Sequence, residues 1–322
     1  MPLLEVSQLQ VEYASQGVPF QAVRGVSFTL EDGEFIGIVG ESGCGKSTLG
    51  FAITRLLRDP GHISGGRVLF MDKDLAQLDD AALQPMRWAD FSIVMQSGMN
   101  ALNPVLTIRR QFEDAFQAHG FRNKREMAER IRTLLRMVKI DPQFADRYPH
   151  ELSGGMKQRV SIALAMALSP KLIVMDEPTT ALDVVVQRSI IQNLKQLRRE
   201  KTFSAIFISH DLGTVLELAD KVAVMYAGQF MEIQSARSIL EHPLHPYTKA
   251  LLKCFPDPMA EHIEIAGIPG SPPDMKRPPK GCPFAPRCEF VQDRCRDEMP
   301  EYRRVGDSYV ACHFPGVEGG SK

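Results

Sequence analysis

One segment near the amino terminus combines closely spaced glycines with a lysine and a serine. Residues 40–47 read GESGCGKS, which fits GxxxxGK[ST], and they lie between the apolar run 36–39 and a segment with helical periodicity. Glycines let such a backbone curl around phosphate oxygens, and the N-terminus of the following helix faces the anion. Lys46 would neutralise the β and γ phosphates of a nucleotide, and Ser47 would ligate Mg²⁺. The residues expected to contact nucleotide here are Gly40, Ser42, Gly43, Cys44, Gly45, Lys46, Ser47 and Thr48.

Two adjacent carboxylates follow a second apolar run. Residues 172–175 precede Asp176 and Glu177, and a central parallel strand delivers polar residues to a ligand crevice in this way. Asp176 would hold Mg²⁺ through water, and Glu177 would act as general base on the attacking water. The alternative is a strand-end pair that only caps the next element.

The remaining pattern predicts the elements that position these groups. Residues 3–39 alternate apolar and polar positions between Gly17, Gly25 and Gly33, which predicts short strands joined by turns. Helical periodicity covers residues 46–57, 108–119, 123–139, 155–168 and 186–200, and short apolar runs at 172–175 and 205–208 predict parallel strands. After about residue 240 the chain is Pro-rich and poorly periodic. We therefore predict an α/β fold followed by a less regular unit.

Composition excludes several classes of protein. The chain has 322 residues and a formal net charge of -1, and this charge does not indicate binding to nucleic acid or anionic lipid. No apolar run approaches the roughly 20 residues that span a bilayer. The amino terminus lacks the pattern of a signal peptide, so we expect the chain to stay in the compartment where it is made.

The most discriminating segment is residues 152–159, which read LSGGMKQR and lie between the phosphate loop and Asp176. This segment resembles the signature of the ABC ATPase family, and the motifs follow the family order. Ser153, the amides of Gly154 and Gly155 and the following helix would form a second phosphate-binding surface. The resemblance implies that ATP is sandwiched between the phosphate loop of one subunit and the signature of its partner. The alternative is an ordinary N-cap on a buried helix.

Four single residues match the family pattern by order and spacing. The resemblance implies that Tyr13 stacks on adenine and that His210 contacts the γ-phosphate. It also implies that Gln96 contacts Mg²⁺ and water and senses membrane subunits. Asp183 would lie at the interface between the two ATPase subunits.

The resemblance also implies an architecture. It is a P-loop NTPase core of ABC type over residues 1–240, with a RecA-like parallel sheet, an antiparallel β subdomain and a helical signature subdomain at about 97–152. Residues 241–322 would form an irregular, metal-binding C-terminal extension. HPYT at 245–248 and IPGSPP at 268–273 resemble the extension of dipeptide and oligopeptide importer ATPases, and this likeness covers essentially the whole chain.

Membership of that subfamily implies a function and a set of partners. The chain would hydrolyse ATP to power import of di- or oligopeptides or related small solutes. It would pair with a second ATPase subunit as a heterodimer and bind two transmembrane permease subunits at the cytoplasmic face of the membrane. A solute-binding protein would be an indirect partner, and no nucleic acid is expected. The alternative is a soluble regulatory ATPase of the same family without a membrane partner.

Four cysteines crowd the end of the chain: Cys282, Cys288, Cys295 and Cys312. Residues 276–313 have too few apolar side chains for a core, which favours a metal staple in a reducing compartment. Spacings of five, six and sixteen residues leave Zn²⁺ and a [4Fe-4S] cluster both open. The resemblance favours the cluster. The basic residues that would offset its charge, or be solvated, are Lys276, Arg277, Lys280, Arg287, Arg294 and Arg296.

Overall fold

The computed structural model describes residues 1–15, 18–96, 101–180, 182–200, 203–254 and 267–317. The chain divides into two compact units. The first unit contains Met1, Glu31–Glu34 and Gln77–Phe207, and the second contains Pro2–Leu30, Phe35–Ala76 and Ile208–Lys322. The family boundary near residue 240 and the helical subdomain over 97–152 remain predictions.

Strands and helices alternate through most of the described residues. The strands are β1 (Leu4–Ser15), β2 (Val18–Leu30), β3 (Phe35–Val39), β4 (Gly61–Phe70), β5 (Lys73–Asp74), β6 (Phe91–Val94), β7 (Leu172–Asp176), β8 (Ser204–Ile208), β9 (Lys221–Tyr226), β10 (Gln229–Ser235), β11 (Arg303–Val305) and β12 (Ser308–Val310). The helices are α1 (Lys46–Ile53), α2 (Asp80–Leu83), α3 (Ile108–Ala118), α4 (Lys124–Met137), α5 (Gly154–Ala165), α6 (Val184–Glu200), α7 (Leu212–Leu218), α8 (Ala236–Glu241), α9 (Pro246–Lys253) and α10 (Asp293–Asp297). Short 3₁₀ helices cover Pro142–Asp146, Pro149–Glu151 and Ala285–Arg287.

The first unit contains buried parallel strands. Strands β6 and β7 pair in parallel, and every residue of β7 and β8 is buried. Strands buried on both faces have continuous apolar sequences, which is why short apolar runs predicted them. Helix α3 buries Ile108, Phe112 and Phe116, one face at intervals of four residues.

The second unit contains a four-stranded antiparallel sheet in the order β2-β1-β4-β5. The sequence predicted short strands bounded by Gly25, and that prediction is wrong for this glycine. Gly25 lies inside β2 with φ 69°, where the register between β1 and β2 shifts beside Leu9. A glycine in the left-handed conformation supplies the extra residue of a β-bulge, so the strand bends and continues. Gly17 lies outside the described residues.

The same unit also holds the strand that leads to the phosphate loop. Strand β3 pairs in parallel with β9, and β9 pairs antiparallel with β10. The hairpin β11-β12 then pairs with β10 through β12. The carboxyl-terminal segment is thus more regular than the Pro-rich sequence indicated.

Helix ends follow local chemistry more closely than periodicity. Helix α1 ends at Ile53, before the predicted residue 57, because Arg55 adopts φ 54° and stops the helix. Helix α6 begins at Val184, before the predicted residue 186, because the Asp183 carboxylate accepts a hydrogen bond from the Val186 amide. In the described residues, no helix combines the length and apolarity needed to cross a membrane.

Candidate nucleotide-binding and catalytic site

Two glycines shape the loop between β3 and α1. Gly40 has φ 154°, and a Cβ added there would lie 2.1 Å from the Met225 carbonyl oxygen. Gly45 has φ 106°, and a Cβ there would lie 2.4 Å from the Ala22 carbonyl oxygen. Any larger residue would collide with backbone at either position. The glycines are therefore required by close approach of neighbouring strands as well as by the curl of the loop.

Lys46 is the buried cation of this loop, with 5% of its surface exposed. Its Nζ donates hydrogen bonds to the carbonyl oxygens of Gly40, at 2.7 Å, and Glu41, at 3.0 Å. The Cys44 thiol lies 3.8 Å away, and burial raises the pKa of that thiol, which keeps it neutral. The loop thus holds an ammonium group inside its own curve, where an anion would be attracted.

The start of α1 lacks the side-chain groups that usually neutralise a helix N-terminus. The N-cap is Gly45, no side chain caps the helix, and no acidic residue occupies the first turn. The partial positive charge of this helix end is therefore not neutralised locally. Ser47 and Thr48 are half-buried in this turn, while Ser42 and Gly43 are exposed on the loop.

The carboxylates stand at the end of β7 in the first unit. Asp176 is 2% exposed, and Glu177 follows it with φ 46°. A left-handed conformation at a residue with a long side chain is strained and is found most often at functional sites. The Glu177 Oε2 accepts hydrogen bonds from Gln96 Nε2, at 2.9 Å, and from Thr180 Oγ1, at 2.7 Å. The structure thus brings two predicted residues together and adds Thr180, which the sequence analysis missed.

The signature residues begin helix α5 in the same unit. Ser153 is the N-cap, and its Oγ accepts a hydrogen bond from the Met156 amide at 3.3 Å. A Cβ on Gly155 would lie 2.5 Å from a methyl group of Val186 in α6, so the glycine is needed for close packing of the two helices. Asp183 caps α6 through that same Val186 amide, at 2.9 Å. Gly155 of the signature and Asp183 therefore both contact Val186 in the first turn of α6.

Tyr13 and His210 belong to the second unit. The half-buried Tyr13 on β1 stacks on Phe20, with ring centroids 5.8 Å apart, and Gly61 packs against its ring. His210 is exposed directly after Ser209, whose amide donates to the Ile38 carbonyl at 3.1 Å. This bond fixes His210 near the end of β3, where the phosphate loop begins.

Comparison with known proteins identifies two family regions. Residues 23–180 match the model of the ABC transporter family. Residues 231–295 match the C-terminal region of oligopeptide and dipeptide transporters. The first region contains the phosphate loop, the signature and both carboxylates, and the second contains three of the four clustered cysteines.

Curated relatives match almost the whole chain. The dipeptide transport ATP-binding protein of Bacillus subtilis is 45% identical over 96% of this chain and 93% of that protein. The protein of that name in Escherichia coli is 41% identical over 98% of this chain and 97% of its own length. Among solved structures, a dimeric bacterial ABC transporter cassette gives a TM-score of 0.66 at 28% identity, covering 73% of this chain and 99% of that chain. Its post-hydrolysis form bound to ADP and Pi gives a TM-score of 0.65.

The phosphate loop and the carboxylates that follow a parallel strand place the chain among the P-loop ATPases. Within that class it belongs to the ABC transporter family, as an ATP-hydrolysing subunit with the cassette fold.

The hydrogen bond from Thr180 to Glu177 gives a first prediction. Thr180→Val keeps the shape of the side chain but removes the donor, so the Glu177 carboxylate loses a hydrogen bond that orients it. We expect the ATP hydrolysis rate to fall about three- to tenfold because one charge-assisted hydrogen bond is lost, with the dissociation constant for ATP unchanged. Thr180→Ser, which retains the hydroxyl, is the control. Equal rates for the valine and serine variants would contradict this role.

Proposed function

We propose that this chain is one of two ATPase subunits that power import of di- or oligopeptides through a membrane ABC transporter. The observation that carries the proposal is the match to dipeptide transport ATP-binding proteins over nearly the full length, including the carboxyl-terminal region. A soluble regulatory role is not favoured, because those relatives are transport subunits by name.

We propose that the phosphate loop and Lys46 bind the β and γ phosphates of ATP. Mg²⁺, when bound, neutralises the charge that develops during phosphoryl transfer, and Ser47, Gln96 and Asp176 would hold it. His210 would contact the γ-phosphate, and the free face of Tyr13 would receive the adenine. These assignments rest on motif order and on the chemistry of the side chains.

Glu177 is the proposed general base. Its carboxylate accepts hydrogen bonds from Gln96 and Thr180, and these help to fix its orientation. A carboxylate held in this way takes a proton from an attacking water without first reorganising.

A second ATPase subunit would complete the nucleotide site through Ser153, Gly154, Gly155 and Asp183. Support comes from Val184 and Val185, which follow Asp183 and are each 79% exposed. Adjacent apolar side chains on an open surface commonly mark a protein interface. We propose that this surface faces the second ATPase subunit, in a heterodimer.

Two transmembrane permease subunits are the proposed membrane partners, with a solute-binding protein acting on them from outside. Within the proposed helical subdomain, Val105 is 75% exposed and Tyr148 is 41% exposed, and both are suited to docking on a partner. The chain would bind peripherally at the cytoplasmic face.

The arrangement of the four clustered cysteines bears on whether this segment binds a metal. Cys282, Cys288, Cys295 and Cys312 all line one cavity, beside Phe284. Burial raises the pKa of Cys282 to about 12 and that of Cys312 to about 11, so these thiols are neutral until a cation draws off their protons. However, in the residues that the structure describes, no group of three or more His, Cys, Asp or Glu is arranged to hold a metal ion. The thiols converge on one cavity without having the geometry of a ligand set.

We propose that the four cysteines hold a [4Fe-4S] cluster with a structural role, and Zn²⁺ is the alternative. The donor set suits both centres. The convergence of four thiols from across residues 282–312 supports a staple for this segment.

The catalytic assignment predicts the behaviour of Glu177→Gln. The variant should retain MgATP binding but lose about 10²- to 10⁴-fold in hydrolysis rate, the usual contribution of a general base. Reconstituted with the permease subunits in proteoliposomes, it should fail to drive uptake of a labelled dipeptide that the wild-type complex transports. Near-normal turnover would refute the assignment. Hydrolysis by the wild-type complex without peptide uptake would refute the import function alone.

The shared site predicts a separate effect for Ser153→Arg. A bulky cation on the signature surface should disable hydrolysis at the partner's phosphate loop, leaving ATP affinity of this chain nearly intact. Titration of MgATP into the isolated subunit and turnover of the assembled complex distinguish the two effects. Loss of ATP binding by the isolated subunit would contradict a shared site.

The proposed cluster predicts colour and composition. Protein purified without oxygen should be brown and contain iron and acid-labile sulfide in equal amounts, whereas a zinc protein would be colourless. Cys295→Ser should lose the metal. Stoichiometric zinc without sulfide would refute the cluster and keep the staple, and metal-free wild-type protein would refute both.

A further inference from the structure

The carboxyl-terminal extension reaches the phosphate loop through one arginine. Arg287 Nη1 lies 2.7 Å from Glu41 Oε2, and its Nη2 lies 2.8 Å from Glu41 Oε1. Glu41 is the second residue of the phosphate loop, and Arg287 directly precedes Cys288. The Arg287 side chain is only 5% exposed and that of Glu41 24%. A shielded, two-pronged ion pair is much stronger than the exposed pairs on a protein surface.

The rest of the guanidinium is also engaged. Arg287 Nε donates to the Pro269 carbonyl at 2.8 Å, and Nη2 also donates to the Ile268 carbonyl at 3.1 Å. Nη1 also donates to the Tyr226 hydroxyl at 3.1 Å. An arginine side chain is cationic at every physiological pH, so the pair with Glu41 is an ion pair. These hydrogen bonds help to fix the orientation of the guanidinium group that pairs with Glu41.

Glu41 is held at its backbone as well. Its amide donates to the Tyr247 hydroxyl at 3.0 Å, and its carbonyl accepts the hydrogen bond from Lys46. Tyr247 packs against Tyr226 and Phe284, with ring centroids 4.6 Å and 5.2 Å away. Tyr247, Phe284 and Arg287 all follow residue 240, so the extension supplies most of the groups that fix Glu41.

The charge of Glu41 makes this contact consequential. A carboxylate carried by a loop that must accept a triphosphate repels that ligand, and the repulsion is large where water is excluded. Arg287 neutralises the carboxylate and holds both of its oxygens.

We propose that Arg287 is a positioning residue for ATP binding: it neutralises and anchors Glu41, so that the ATP affinity of the phosphate loop depends on the cysteine-bearing extension. The proposal rests on the proposed binding of ATP at this loop. It predicts that the negative charge of Glu41, and not only the position of its side chain, controls the affinity for ATP.

Three variants of the full-length chain separate charge from anchoring, with MgATP binding measured by calorimetry. Arg287→Met leaves a bare carboxylate beside the phosphates and should raise the dissociation constant about tenfold. Glu41→Gln removes the pair together with the negative charge and should bind ATP no more weakly than wild type. The double variant should recover most of the affinity that Arg287→Met loses. Added salt should reduce the difference in dissociation constant between Arg287→Met and wild type, because salt screens the repulsion between Glu41 and the phosphates.

Arg294→Met is the matched control. Arg294 lies in the same extension, directly precedes Cys295 and pairs with Glu298 at 2.7 Å, but both side chains are about 60% exposed. Its loss should leave the ATP affinity unchanged. In the assembled complex, Arg287→Met should raise KM for ATP far more than it lowers kcat.

Equal weakening by Arg287→Met, Glu41→Gln and the double variant would show a purely structural anchor and overturn the proposal. Wild-type affinity in Arg287→Met would also overturn it. If Arg287→Met does not fold, Arg287→Lys keeps the charge without the fork and should bind ATP within a few-fold of wild type. Failure of the wild-type chain to bind MgATP would instead refute the proposed function.

Discussion

The phosphate loop is shaped by two backbone approaches that leave no room for a side chain. Gly40 lies against the Met225 carbonyl at the end of β9, and Gly45 lies against the Ala22 carbonyl in β2. The curl of the loop, the inward position of Lys46 and the open start of α1 all depend on these contacts. Strand β2 of the antiparallel sheet is therefore part of the candidate nucleotide site, because it and β9 together set the path of the loop that follows β3.

Much of the fold could be predicted because its patterns are local. The buried strands β7 and β8 are continuous apolar runs, and α3 repeats apolar residues at helical spacing, so each was placed within a residue or two. The bulge at Gly25 could not be predicted in this way. A glycine reads as a turn or as a bulge depending on the register of its partner strand, and register is a property of two segments.

The candidate site likewise contains residues that could be predicted from local sequence and residues that could not. The motifs located Lys46 and Glu177 because type and spacing carry their chemistry, whereas the orienting bond from Thr180 depends on the left-handed turn at Glu177. Arg287 was grouped with other basic residues near the cysteines. Its partner Glu41 is 246 residues away, and nothing in a run of prolines and arginines indicates which one is buried. Arg287 is distinguished in the folded chain, where its guanidinium lies over the aromatic rings of Tyr226 and Phe284.

In the proposed function, the charges around the phosphate loop bear mainly on ATP affinity, and the hydrogen bonds to Glu177 bear mainly on hydrolysis. On the proposed roles, Lys46, Glu41 and Arg287 would set how strongly the loop attracts phosphate, because they carry charge in the loop or beside it. Gln96 and Thr180 decide where the Glu177 carboxylate points. Gln96 is exposed, so a protein bound over it can remove one of these bonds while Thr180 retains the other. On the proposed role of Glu177, a partner acting there would change the rate of hydrolysis by changing the orientation of that carboxylate.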